Sequence, residues 1–270
     1  MGESYLSWAS GMLYAVAITM LASRLRNDEF APAGRRTPLL FALGAVLLHV
    51  GHHWVVNRAI GGPDLGFFAA LSLVGLGMAA VTLLVGWFRP VETVGVVAFP
   101  IAAVLLMADH FLGTPTPRHA ALTWQITSHV IVALLAYATL SIAALVAITL
   151  AMQESALRNH RAGRMFGVFP PLTLVEGLLF QLIAAGFVLL SLTLVSGALF
   201  VEDLFTQKLS HKTVLSIAAW LVFGTLLLGR WRWGWRGRRA ARMTLIGMGL
   251  LLLAFVGSKF VLEILLDRTG

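Results

Sequence analysis

A chain of 270 residues with 59% hydrophobic residues, 12% charged residues and a formal charge of +8 has lipid as its solvent, since soluble domains carry roughly 25% charged residues. Its mean hydropathy of +0.86 says the same. The absence of cysteine excludes disulfides, thiolate metal sites, iron–sulfur clusters and covalent attachment through C-x-x-C-H. Any metal centre here rests on other side chains, His first. The basic residues stand in short loops between apolar runs, where they read as topology signals and anionic-lipid contacts, not as a nucleic-acid footprint.

In chain order the apolar runs predict spans at Tyr5–Ala22, Pro38–Val56, Leu65–Phe88, Val91–Phe111, Leu122–Met152, Leu172–Leu199, Thr213–Gly229 and Ala241–Leu266. Most have the ~20 residues that a helix needs to cross the hydrocarbon. They are continuous and rich in Leu, Ala and Gly, unlike the short alternating strands of a barrel. The first run has no Lys or Arg before it, so it reads as a retained span and not a cleaved leader. The fifth is overlong and is expected to project into water at Gln153–His160. The fold class is therefore all-α: a polytopic membrane bundle of about eight transmembrane helices, forming one integral membrane domain.

Fourteen of the 20 Lys and Arg residues fall after odd-numbered spans, leaving Arg58, Arg118, Lys208, Lys212, Lys259 and Arg268 for the other side. The positive-inside rule then puts both termini outside, with the loops at 57–64, 112–121 and 200–211 external.

In that orientation seven of the eight histidines lie on or near the external side, and His160 alone is cytoplasmic. His119 and His211 read as wet, interfacial residues. His49 and His129 each lie about seven residues inside the outer boundary, ~10 Å deep at 1.5 Å per residue. Polar side chains at that depth face a bundle interior or a cavity and are functional candidates. The plainer reading is a bond to a neighbouring helix. Equal offsets on an outward-running and an inward-running helix put His49 and His129 at one level, where they can form a pair around one ligand. His49, His52 and His53 stand at i, i+3 and i+4 and share a face. That spacing can also bind zinc, with Asp109 and His110 nearby in topology, although there is no H-E-x-x-H motif and no carboxylate on the same face. His52, His53, His110 and His211 are second-tier cofactor or metal candidates.

On the fifth span Ala133, Ala136, Tyr137, Leu140 and Ala144 line the face below His129. They signal close helix packing or room for a flat ligand. Glu176 reads as a snorkelled or locally paired carboxylate, and Lys259 and Glu263 as mutually neutralising. In the basic stretch Arg230–Arg242, Trp231, Trp233 and Trp235 read as interfacial anchors. No Walker loop, dinucleotide glycine fingerprint or G-x-S-x-G elbow is present.

Ser128-His129-Val130 followed by Leu134-Leu135-Ala136-Tyr137-Ala138, then Ser196-Gly197-Ala198, Trp220, Trp235-Arg236-Gly237 and Phe255-Val256-Gly257 form an ordered set that resembles the cytochrome c assembly protein family. These are haem-handling membrane proteins such as CcsA and CcmC, and the YpjD or HemX-like branch fits best. The resemblance covers Trp124 onward, so residues 1–121 read as four branch-specific spans and 122–270 as the four assembly-like spans. It implies a bacterial inner-membrane protein that binds or handles haem, with His129 as an axial ligand; the matching depth, not the resemblance, makes His49 the expected partner in a non-covalent bis-His site. Haem iron is then the one metal expected, and the partners are the lipid bilayer, haem and other membrane proteins, without nucleic acid. The family's Trp-rich external loop has no counterpart in Phe200–His211, where His211 falls near the motif's Asp. Its second external His has none in Lys259–Gly270. The resemblance thus implies a non-catalytic member without ligase activity. Its rivals are a scaffold or regulatory subunit of haem biosynthesis that has lost the ligand, and a small transporter for metal or haem.

Overall fold

The computed structural model describes residues 2–26, 34, 36–89, 92–114, 123–158, 171–200 and 210–257, and among these every regular element is helical. The elements are α1 (Gly2–Arg26), α2 (Arg36–Ile60), α3 (Phe67–Phe88), α4 (Glu92–Leu112), α5 (Trp124–Arg158), α6 (Leu172–Phe200), α7 (Ser210–Trp233) and α8 (Gly237–Leu252), the last running into a π turn at Leu253–Gly257. Seven helices are long and apolar enough to cross a membrane. The eighth has 16 described α-helical residues before the π turn. The chain is a helical membrane bundle, as its composition requires: hydrocarbon offers backbone N–H and C=O groups no partners, and a helix satisfies them internally.

The helices fall into two compact units, α1–α4 and α5–α8. In unit 1, α1 packs on α2 and α4, and α3 packs on the same two helices. In unit 2, α5 packs on α6 and α8, and α7 packs on the same two. Each unit is thus a closed ring of four helices. Lipid supplies no hydrophobic drive between helices, so close approach through small residues has to hold them. In unit 1 a Cβ on Gly75 would lie 3.2 Å from the Cα of Ala102, and buried Ala17, Ala42, Ala45, Ala79 and Ala102 surround Tyr14 and Phe99. In unit 2, Gly186 receives Leu140, Gly247 receives Phe223, and Gly224 receives Phe187.

Two helix ends fix the backbone where the polar clusters sit. After α2 the chain turns at Gly61, φ 77°, and Gly62 N–H bonds the Asn57 carbonyl at 3.0 Å, a Schellman closure that needs a left-handed residue. The Asn57 side chain then accepts from Asp64 N–H, and the Asp64 carboxylate from Gly66 N–H. After α7 the left-handed residue is Gly234, φ 64°, with its N–H on the Arg230 carbonyl at 3.1 Å. At the switch from α8 into the π turn, Tyr137 Oη donates to the Leu251 carbonyl at 3.0 Å, tying α5 to α8.

α5 runs for 35 residues, longer than a span requires, and within its final stretch Gln153 is buried against protein. Leu157 and Arg158 are exposed. His119, His160, Lys259 and Glu263 lie outside the described residues, as does the side chain of His211.

Candidate functional site

At one end of unit 1 all four helices contribute polar groups. α1 supplies Ser10 and Tyr14, α2 supplies His49, His52 and His53, α3 supplies Ser72, and α4 supplies Asp109 and His110. His49 is 0% exposed, His52 4% and His53 5%. The helical spacing that gives the three imidazoles one face also stacks His49 on His53, with ring centroids 5.4 Å apart. Ser72 Oγ lies 2.9 Å from His49 Nε2 and 3.0 Å from His53 Nε2. A hydroxyl has one proton, so Ser72 donates to one ring and accepts from the other. The two imidazoles are therefore held in opposite proton states at Nε2. Tyr14 Oη stands 3.4 Å from His49 Nδ1, which extends the chain to Tyr14–His49–Ser72–His53. His52 Nε2 is 3.4 Å from Asp109 Oδ2, and the His110 ring lies 6.5 Å from the His52 ring.

In unit 2 the arrangement is simpler. His129 Nδ1 is 2.9 Å from Ser196 Oγ, and Ser196 Oγ is 3.1 Å from the Thr193 carbonyl. A carbonyl only accepts, so the Ser196 hydroxyl donates to it and its oxygen accepts the Nδ1–H of His129. The neutral ring then presents Nε2 as a lone pair, the form in which an imidazole ligates a metal. Gly197 lets α6 come this close, because a Cβ there would sit 3.2 Å from His129 Cε1. His129 is only half-buried. The face below it is used for packing: Leu140 enters the notch at Gly186, and the Tyr137 ring leans on Phe255 at 5.2 Å. Close packing accounts for that face. An open imidazole Nε2 fits an axial haem ligand by its chemistry and its tautomer.

The remaining landmark residues are helix ties. Trp220 Nε1 donates to Ser191 Oγ at 2.8 Å, and its ring stacks on Phe187 at 5.3 Å, joining α6 to α7. Arg236 Nε and Arg230 Nη1 each donate to Glu176 Oε1 at 2.8 Å. The carboxylate is 8% exposed, so Glu176 is the locally paired acid its sequence position suggests. Trp231 and Trp233 are 83% and 63% exposed. Trp235 is half-buried, packs against Gly229, stacks on Trp233 and lies under Arg239, so it contributes to the tie between α7 and α8.

The structure brings His49, His52, His53 and His110 together in unit 1, while His129 belongs to unit 2. Sequence reasoning found every described histidine but missed the serines that govern them. Ser72 was legible as a hydroxyl isolated in an apolar run, and Ser196 as the residue beside a glycine in the S-G-A landmark. Tyr14, one of three tyrosines, was legible as a hydroxyl in mid-span. Nothing local to Glu176 names Arg230 and Arg236, which lie more than fifty residues away.

Residues 38–266 match the family model described as Cytochrome C assembly protein. Inner membrane protein YpjD of Escherichia coli strain K12 is 33% identical over 254 residues, which cover 93% of this chain and 95% of that protein. Cytochrome c biogenesis protein CcsA of Synechococcus sp. strain JA-3-3Ab is 26% identical over 262 residues, covering 74% of this chain and 75% of its own. No solved structure matches the chain. With a family match over most of its length, ordered landmarks that each tie helices or hold an imidazole, and a YpjD relative matched nearly end to end, the chain belongs to the cytochrome c assembly protein family, on its YpjD-like branch.

Proposed function

We propose that this chain is a haem-binding, haem-handling protein of the bacterial inner membrane, with His129 as an axial ligand and without ligase activity of its own. The observation that carries the reading is the Ser196–His129 bond at 2.9 Å, which holds the imidazole proton on Nδ1 and leaves Nε2 open. Bound haem would supply an iron whose potential is set by axial ligands and apolar walls. The chain's own part is to orient the ring, through Ser196 and Gly197, and to hold α5 and α6 in register behind it. His49, the partner ligand that its depth suggests, has Nε2 on Ser72 and Nδ1 facing Tyr14, so it could ligate iron only by giving up the Ser72 bond, a cost of about 1 kcal/mol. The missing ligase activity rests on the segment 200–211, which contains no Trp.

Haem titration of the purified protein tests this reading. His129→Ala should weaken haem binding at least tenfold and remove the six-coordinate low-spin spectrum, and His49→Ala should convert it to a five-coordinate one. A wild-type spectrum in His129→Ala rejects the ligand, and a protein that takes up no haem favours the scaffold reading. The orientation, both termini external, has its own test. Single cysteines at Arg118 and Lys208 should react with an impermeant thiol reagent from outside, and those at Arg161 and Arg238 only from the cytoplasm; labelling of position 238 from outside inverts the scheme.

A further inference from the structure

We propose that the polar end of unit 1 is a binding site for a divalent first-row transition-metal cation, held by His52, His53 and Asp109. This site is separate from haem ligation by His129 and does not rest on it. One ligand atom from each of the three residues lies within 4.8 Å of the other two. Metal–ligand bonds of about 2.0–2.1 Å in tetrahedral geometry put ligand atoms roughly 3.4 Å apart. His52 Nε2 and Asp109 Oδ2 already stand at 3.4 Å, and His53 offers the third ligand atom within the 4.8 Å span of the cluster.

Burial and charge argue that the cluster is more than a hydrogen-bonded core. The Asp109 side chain is 9% exposed, and its ion-pair partner among the described residues is His52. A carboxylate in a transmembrane bundle needs a positive charge beside it. A divalent cation seated between the carboxylate and the two imidazoles supplies it directly. The surrounding residues have the form of an outer shell. His53 has Nε2 committed to Ser72, and Ser72 is bonded to His49, so Nδ1 is the nitrogen left for a metal. With Nδ1 occupied, the ring's proton sits on Nε2 and is donated to Ser72, and the chain runs on through His49 to Tyr14. A ligating imidazole whose second N–H is held by a fixed acceptor is the usual second-shell arrangement.

The donor set selects the cation. Two nitrogens and one carboxylate oxygen, in a chain without cysteine, suit zinc, iron(II), cobalt or nickel, and not the all-oxygen preference of magnesium or calcium. Three protein ligands leave a position open for water or an exchanging ligand. His52, His53 and Asp109 lie in the last third of α2 and the last turn of α4, the end assigned to the external side. A site so placed suits a cation taken up from, or passed to, that side.

The test uses the full-length protein in detergent, stripped with chelator and titrated with Co²⁺ under its visible absorption, with Zn²⁺ as competitor. We expect one Co²⁺ per chain, displaced by equimolar Zn²⁺ and not by millimolar Mg²⁺. Asp109→Asn and His52→Gln should each weaken binding at least tenfold. Ser72→Ala should weaken it by roughly tenfold through the outer shell. His160→Ala should bind as wild type. To guard against variants that fail to fold, Zn²⁺ should raise the Tm of the wild type, and Asp109→Asn, folded by its own cooperative melt, should show no such shift. The proposal is overturned if the wild type takes up no stoichiometric cobalt. It is also overturned if Asp109→Asn and His52→Gln bind as wild type, or if Mg²⁺ competes on equal terms.

Discussion

In unit 1 one serine holds two imidazoles, whereas in unit 2 one serine holds one. Ser72 lies between His49 and His53, and the Nε2 of both rings is occupied. Ser196 takes the Nδ1 of His129 and leaves its Nε2 open. The same residue pair therefore does different work according to which nitrogen the hydroxyl meets. In unit 1 it builds a buried hydrogen-bonded chain that backs a cluster with a carboxylate, and in unit 2 it prepares a single open ligand. The units differ again in their charges. Unit 1 pairs Asp109 with a histidine. Unit 2 pairs Glu176 with two arginines, Arg230 and Arg236, of which the second is 59% exposed. The first pairing joins α2 to α4 through groups of metal-ligating type, while the second is a clamp between α6 and the turn joining α7 to α8.

Substitution of the two serines should separate the units most clearly. Ser72→Ala strips two fully buried imidazole nitrogens of their partner and should cost about 2–3 kcal/mol in thermal or denaturant unfolding. Ser196→Ala affects one half-buried ring and should cost about 1 kcal/mol or less, while lowering haem affinity because the tautomer is no longer held. Equal losses from the two substitutions would break the distinction between a buried chain and a ligand support. Next in size is Glu176→Gln, which removes the negative charge that Arg230 and Arg236 share and leaves them one neutral amide oxygen as acceptor. Both can turn towards water, so the cost should be about 1–2 kcal/mol, with haem binding unchanged; a loss of haem with no loss of stability would move Glu176 from the clamp into the site.

The spans and the histidines were legible in the sequence because both are local properties. An apolar run of spanning length needs no knowledge of its neighbours, and an imidazole well inside a boundary is costly wherever the helices turn. The interhelical bonds were not legible, because each joins residues far apart in the chain: Ser196 lies 67 positions from His129, and Arg236 lies 60 from Glu176. Their composition still left a trace. Ser196-Gly197 and Trp235-Arg236-Gly237 stand out as motifs, and each turns out to be a place where a glycine lets a side chain from another helix approach. Trp235 shows what a local reading leaves out: among three alternating tryptophans it has the pattern of a lipid anchor, and the left-handed turn at Gly234 also directs it onto Gly229.

His129, with its Nε2 left open by Ser196, is the proposed haem ligand. The most direct measurement is the absorption spectrum of haem-loaded His129→Gly protein before and after addition of free imidazole. The low-spin spectrum should be lost on substitution and restored when imidazole fills the space vacated by the side chain. A low-spin spectrum identical to wild type before any imidazole is added would contradict the account, because another residue would then be supplying the ligand.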